Sequence, residues 1–181
     1  MDILLLGVSN VGKSSIGELL AKKIHYDYYD LDDIVKHDQD MTLEEFVNTG
    51  TLFERDQLRC NLLNALHYTS GNKVVAVTPI SYIDGIKSLF NSQDVLSIYL
   101  YDSVENIFDR LVFSDENDVI YNDDEYKMQH MDHYIKDISA DLDWYGSVYG
   151  MIENRFNISG NSIDEACSRI IEEYHLEVKG R

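Results

Sequence analysis

Gly7-Val8-Ser9-Asn10-Val11-Gly12-Lys13-Ser14 decides the reading of this chain. The stretch fits G-x-x-x-x-G-K-[ST], and its flanks are those the pattern requires. Ile3–Leu6 before it is an apolar run suited to a strand buried on both faces. Ser14–Ile24 after it places Ile16, Leu19, Leu20 and Ile24 on one helical face. A loop between such elements can wrap a polyphosphate with inward-pointing backbone N–H groups, which needs glycine where a side chain would collide. The following helix adds partial positive charge at its N-terminus. Gly7, Ser9, Asn10, Val11, Gly12, Lys13, Ser14 and Ser15 are therefore candidate nucleotide contacts, with Lys13 on the β- and γ-phosphates and Ser14 on Mg²⁺. A glycine turn without function is the competing account, and the strand and helix disfavour it. Asn10 tolerates a left-handed backbone better than most residues.

Outward from the loop, Asp27–Asp30 is a short tyrosine-rich strand and a helix begins near Asp30. Asp30 and Asp32 alternate with Leu31, as carboxylates at the C-terminal edge of a parallel sheet would, where ligands bind. One can hold Mg²⁺, and the other can orient or deprotonate a hydroxyl. Helix capping by Asp30 or Asp32 is the plainer alternative. Thr42-Leu-Glu-Glu45 and Ser162-Ile-Asp-Glu165 are capping boxes that start helices. Leu52–Tyr68 reads as a longer helix, Ser81–Phe90 as another, and Asp102 or Ser103 as the cap of one running to about Val112. Val74–Val77, Val95–Leu100 and Phe156–Ile158 complete the strands. Ser114–Glu125 is acidic and poorly patterned, and a helix resumes within 128–152. Apolar strands alternating with helices imply a parallel sheet covered on both faces.

Composition narrows the partners. The 181 residues suit one domain, expected over 1–181, with 44% hydrophobic residues, 27% charged and a single proline. Fifteen Lys and Arg against 33 Asp and Glu give −18, which opposes binding to nucleic acid or an anionic membrane. No run of about 18 apolar residues is present. Cys60 and Cys167 show no metal-ligand spacing and read as reduced, buried thiols, with a bridge as the alternative, so a cytoplasmic location is expected. The sequence does not set the oligomeric state, and a monomer is the expectation. His130 and His133 read as a solvated helix face. Trp144, Tyr145 and Tyr149 read as packing residues, with substrate stacking as the alternative, and Pro79 as a strand terminator.

Taken in order, GVSNVGKSSIGELLAKKI, YDLDDIV, Gly50-Thr-Leu-Phe-Glu-Arg55, SIYLYDSVENIFDRL and the acidic stretch resemble the shikimate kinase family. The resemblance implies a three-layer α/β P-loop kinase fold: a five-stranded parallel sheet in the order 2-3-1-4-5, flanking helices and a lid. Acceptor-binding helices are expected over 31–70 and the lid over 113–127. It implies ATP and Mg²⁺ as cofactors and a small-molecule hydroxyl acceptor as partner. Lys13 and Asp32 would be catalytic, Ser14 and Asp30 would hold the metal, Asp32 and Arg55 would hold the acceptor, and Arg110 would lie against the adenine.

The departures fall on the acceptor side. Where the family has a glycine triplet that lets its backbone approach shikimate, this chain has Thr78-Pro79-Ile80. The family's lid arginine has no counterpart in Glu116–Tyr121. Its carboxylate-binding arginine, four residues before a helix tyrosine, becomes Asp141 if that tyrosine is Tyr145. No arginine lies between Arg110 and Arg155, and Lys127 and Lys136 are the lysines of that region. A carboxylate acceptor beside ATP needs positive charge, and arginine forks supply it best. A neutral or cationic hydroxyl compound suits the acidic lid better, although the acidic run also reads as a merely solvated loop. Two alternatives stay open. One is a divergent shikimate kinase whose missing role falls to Arg59 or Arg155. The other is a nucleotide-binding protein with little or no transfer activity.

Overall fold

The computed structural model describes residues 1–177. Strands β1 (Asp2–Leu6), β2 (Asp27–Asp30), β3 (Lys73–Ala76), β4 (Val95–Tyr101) and β7 (Arg155–Asn157) form one parallel sheet in the order β2-β3-β1-β4-β7. This is the expected order. The outermost strand is seventh in the chain because β5 (Phe113–Ser114) and β6 (Ile120–Tyr121) pair separately as an antiparallel hairpin.

The alternation of β1 sets the layers. Ile3 and Leu5 pack on one face with Ile16, Leu20 and Ile24 of helix α1 (Lys13–Ile24) and with Ala166, Cys167 and Ile170 of α9 (Ile163–Glu173). Leu4 and Leu6 pack on the other with Cys60 and Leu63 of α4 (Leu52–His67) and with Ile83, Ile86 and Leu89. Both cysteines are free and buried.

Between β2 and β3 run α2 (Leu31–Gln39), α3 (Leu43–Val47) and α4, which form the lobe over 31–70. Capping boxes start α3 at Thr42, α4 at Thr51 and α9 at Ser162. Two helices depart from expectation. Ser81–Phe90 breaks into a 3₁₀ turn (Ile83–Ile86) and a short α5 (Lys87–Phe90). Gly85 packs so tightly on α4 that a Cβ there would lie 3.0 Å from that of Cys60. Helix α6 (Val104–Asp109), capped by Ser103, ends at Asp109 with Arg110 as its C-cap, instead of near Val112. The lid stretch carries the β5–β6 hairpin and the start of α7 (Asp124–Gln129), and α8 (Met131–Val148) follows. No helix among the described residues is long and apolar enough to cross a membrane.

Candidate active site

The loop between β1 and α1 lies at the C-terminal edge of the sheet. Gly7 adopts φ +143°, and a Cβ there would sit 2.4 Å from the Leu100 carbonyl oxygen, so the turn's approach to β4 demands glycine. Asn10 takes the left-handed conformation at φ 59° and Gly12 caps α1 at φ 108°. Lys13 opens α1 and is buried. Its Nζ donates to the carbonyls of Gly7 (3.0 Å) and Val8 (2.7 Å). Burial lowers the Lys13 pKa to about 8, against the opposing pull of Asp32 and Asp30.

Asp30 caps α2 and also faces the phosphate loop. Its Oδ1 accepts from the Asp32 N–H at 3.0 Å and caps α2. Its Oδ2 accepts from Ser14 Oγ at 2.6 Å and Tyr28 Oη at 3.2 Å. Ser14 and Asp30 thus present adjacent hard oxygen donors beside the phosphate loop. That donor set fits Mg²⁺, which takes one or two protein oxygens and completes its shell with phosphate and water. Burial and the Asp30 charge raise the Tyr28 phenol pKa.

Asp32 lies deeper. Burial and then the Asp30 charge raise its carboxyl pKa, while Arg59, Lys13 and a hydrogen bond from Thr78 oppose the shift. Lys13, Ser14, Asp30, Asp32, Thr78 and Pro79, with Ser9 and Asn10, line a pocket of about 160 Å³. The loop residues and the two carboxylates therefore face one space.

Arg55 lies elsewhere. Its Nη1 donates to the carbonyls of Thr49 (2.6 Å) and Gly50 (3.1 Å), closing the turn between α3 and α4. The arginine on the Asp32 side is Arg59, one turn further along α4. It is buried, bonds Asp56 Oδ1 through Nη1 at 3.0 Å and stacks on Phe46 with its centre 5.2 Å from the ring. Its Nε is buried with no partner among the described residues. Asp56 is fully buried and its Oδ2 also accepts from the N–H groups of Ser81 (2.9 Å) and Tyr82 (3.1 Å). An Asp and Arg three apart signal a helix-surface pair. Nothing in their spacing tells that the loop after β3 folds over them.

That loop is tied on its other side by α8. The Ile80 N–H donates to Tyr149 Oη at 2.9 Å, and Trp144 Nε1 donates to Ser81 Oγ at 3.2 Å. Tyr149 is a buried packing residue, whereas Trp144 is 58% exposed beside the loop. Asp141 lies one turn before Tyr145, and its charge raises the phenol pKa after burial has done so. Arg110 bonds Asp102 Oδ2 at 2.7 Å and reaches the Asn10 carbonyl at a long 3.4 Å, which puts it against the phosphate loop. Lys127 is held at the end of α6, donating to the Asp109 carbonyl at 3.2 Å with its Nζ 5.3 Å from the centre of the Phe108 ring. His133 pairs with Asp137 at 3.3 Å on an exposed face.

Residues 9–143 match the shikimate kinase family model. A shikimate kinase of Flavobacterium johnsoniae is 26% identical over 175 residues, 94% of this chain and 96% of its own. One from Bacillus subtilis is 35% identical over 68 residues, 37% of each chain. In fold, the chain is similar to the crystal structure of shikimate kinase from Bacteroides thetaiotaomicron, with a TM-score of 0.80, 19% identity and coverage of 97% of this chain and 99% of that one. The shikimate kinase of Acinetobacter baumannii in complex with shikimate gives a TM-score of 0.67 at 20% identity, covering 98% and 95%. With the phosphate loop, the paired carboxylates and the strand order in place, the match over 9–143 shows that this chain belongs to the shikimate kinase family.

Proposed function

We propose that the chain transfers the γ-phosphoryl group of ATP to a hydroxyl of a small molecule other than shikimate. Gly7–Ser15 would cradle the phosphates, with Lys13 turning from its two loop carbonyls to phosphate oxygens. Arg110, beside the loop, would flank the adenine. Ser14 and Asp30 would hold Mg²⁺, which when bound neutralises phosphate charge. Asp32 would orient the acceptor hydroxyl and take its proton as the new O–P bond forms and ADP leaves. Its raised pKa makes it a stronger base than an ordinary aspartate.

One observation supports an acceptor other than shikimate. The loop after β3 has no N–H at Pro79, and it spends those of Ile80, Ser81 and Tyr82 on Tyr149 and Asp56. Of the three positions where the family has glycines, Pro79 and Ile80 thus offer an acceptor no main-chain donor. The second reading, a divergent shikimate kinase, is favoured by Arg59, a buried arginine on the Asp32 side whose Nε has no partner among the described residues.

ADP release from Mg-ATP, with and without shikimate and across a panel of neutral and amine-bearing alcohols, tests the proposal. Turnover is expected with a member of the panel, not with shikimate, and is expected to vanish in Lys13→Ala. Lys13-dependent turnover of shikimate would establish the second reading. No response to any acceptor, with Mg-ATP still bound, would leave a nucleotide-binding protein.

A further inference from the structure

The lid carries no arginine with which bound phosphates could draw it shut. It is nonetheless fastened to the acceptor lobe. Asp118 stands at the hairpin tip with a left-handed backbone at φ 61°. Asp115 builds that tip: its Oδ1 accepts from the N–H groups of Asn117 (2.8 Å) and Val119 (2.9 Å), and its carbonyl accepts from the Asp118 N–H at 3.0 Å. The Asp118 side chain then crosses to the lobe, where Oδ2 accepts from the Leu43 N–H at 2.9 Å. Leu43 is the first residue of α3, and the capping box of that helix serves the N–H groups of Thr42 and Glu45. The N–H of Leu43 is met by a side chain 75 residues away in sequence. Lys36 of α2 lines the same cleft beside Asp118.

We propose that Asp118 is a positioning residue that latches the lid hairpin to α3, so that the lid closes on the protein's own acceptor lobe without waiting for nucleotide. Its role in catalysis rests on the kinase reading above, whereas the latch is a property of the free chain. A lid held this way needs no phosphate-gripping arginine to shut. An acceptor entering the lobe would then meet a cover already coupled to α3.

The test is amide exchange of the full chain, read by NMR at Leu43 and over 113–121, first without ligand and then with Mg-ADP. In the unliganded chain these amides are expected to be protected together. Asp118→Ala should speed exchange at both places at least tenfold. Asp118→Asn keeps an acceptor oxygen and should restore most of the protection. Glu116→Ala removes a neighbouring lid charge and should change exchange less than twofold. Mg-ADP should likewise slow lid exchange less than twofold in the wild type. Unchanged Leu43 exchange in Asp118→Ala overturns the latch, as does an equal effect of Glu116→Ala. A tenfold gain of lid protection on adding Mg-ADP overturns it too, since closure would then belong to the nucleotide. If the exchange pattern holds and no acceptor is ever turned over, the kinase reading fails and the latch stands. Where an acceptor is turned over, Asp118→Ala should raise its KM more than it lowers kcat, with rescue in Asp118→Asn.

Discussion

Arg55 and Arg59 stand four residues apart on one helix, so their side chains lie about 40° apart around the axis and about 6 Å apart along it. That displacement separates a turn-closing residue from one on the Asp32 side. Helical periodicity finds the right face and leaves the turn open, because which turn meets Asp32 is set by how α4 docks under the loop after β3. Truncating Arg59 to Met removes a charged donor and leaves Asp56 with an unpaired buried charge. A hydrogen bond from a charged group is worth about 1.5–3 kcal/mol, or roughly 10–150-fold. The acceptor KM of Arg59→Met should therefore rise by about tenfold or more, with the KM for ATP within about twofold. Arg55→Ala should leave both constants within about twofold and lower stability by about 1 kcal/mol. Steady-state kinetics and denaturant melts of the two variants decide the matter, and a larger acceptor effect at Arg55 would reverse the assignment. The phosphate loop, Asp30 and Asp32 were legible because their chemistry is local. Tyr28, which donates to Asp30 from two residues upstream, lay in the tyrosine-rich strand without being singled out.

Among the elements, strands and capped helices were legible, and the misread ones share a cause. Ser81–Phe90 has helical spacing, but its first residues are claimed by Asp56 and its glycine by the surface of Cys60. Helix α6 stops early because Arg110 is drawn back to Asp102. That aspartate, 6% exposed, is the knot of the β4–α6 junction. Burial works to raise its pKa, and bonds from Asn106, Arg110 and the N–H groups of Ser103 and Gly160 outweigh it, so the carboxyl titrates below its ordinary value. The sign follows. The unfolded chain binds this proton at a higher pH than the folded one, so the contribution is present above about pH 4 and fades as pH falls through the folded pKa. Asp102→Asn should cost about 2–3 kcal/mol in denaturant melts at pH 7. The difference from wild type should shrink toward pH 3. A penalty that persists undiminished in acid would mean that shape, not charge, holds the junction.

Over the whole molecule, a net charge of −18 is spread across 181 residues, and the acidic side chains repel one another in the compact state. Raising salt from 10 to 200 mM shortens the screening length from about 30 Å to under about 10 Å, which relieves this repulsion. The melting temperature should rise by several degrees over that range in sodium chloride. A flat or falling Tm would show that the ion pairs, such as Lys23–Asp164 at 2.9 Å, outweigh the excess charge. The strand order came from the family resemblance, whereas the covered parallel sheet was readable at this scale from the alternation of apolar strands and helices. The docking of the lid onto α3 was not, since it joins segments separated by 75 residues through one carboxylate.

The loop from Pro79 to Tyr82 turns its main-chain donors inward. Under the proposed function, an acceptor beside Asp32 would be selected by side chains, with Arg59 of α4 and Trp144 of α8, which flank this loop, as the candidates. A main-chain contact survives almost any point mutation, whereas a side chain is exchanged by a single codon change. The scaffold therefore leaves acceptor choice open to stepwise evolution while the phosphate loop stays fixed. A laboratory search for new acceptors should look for its gains in α4 and α8.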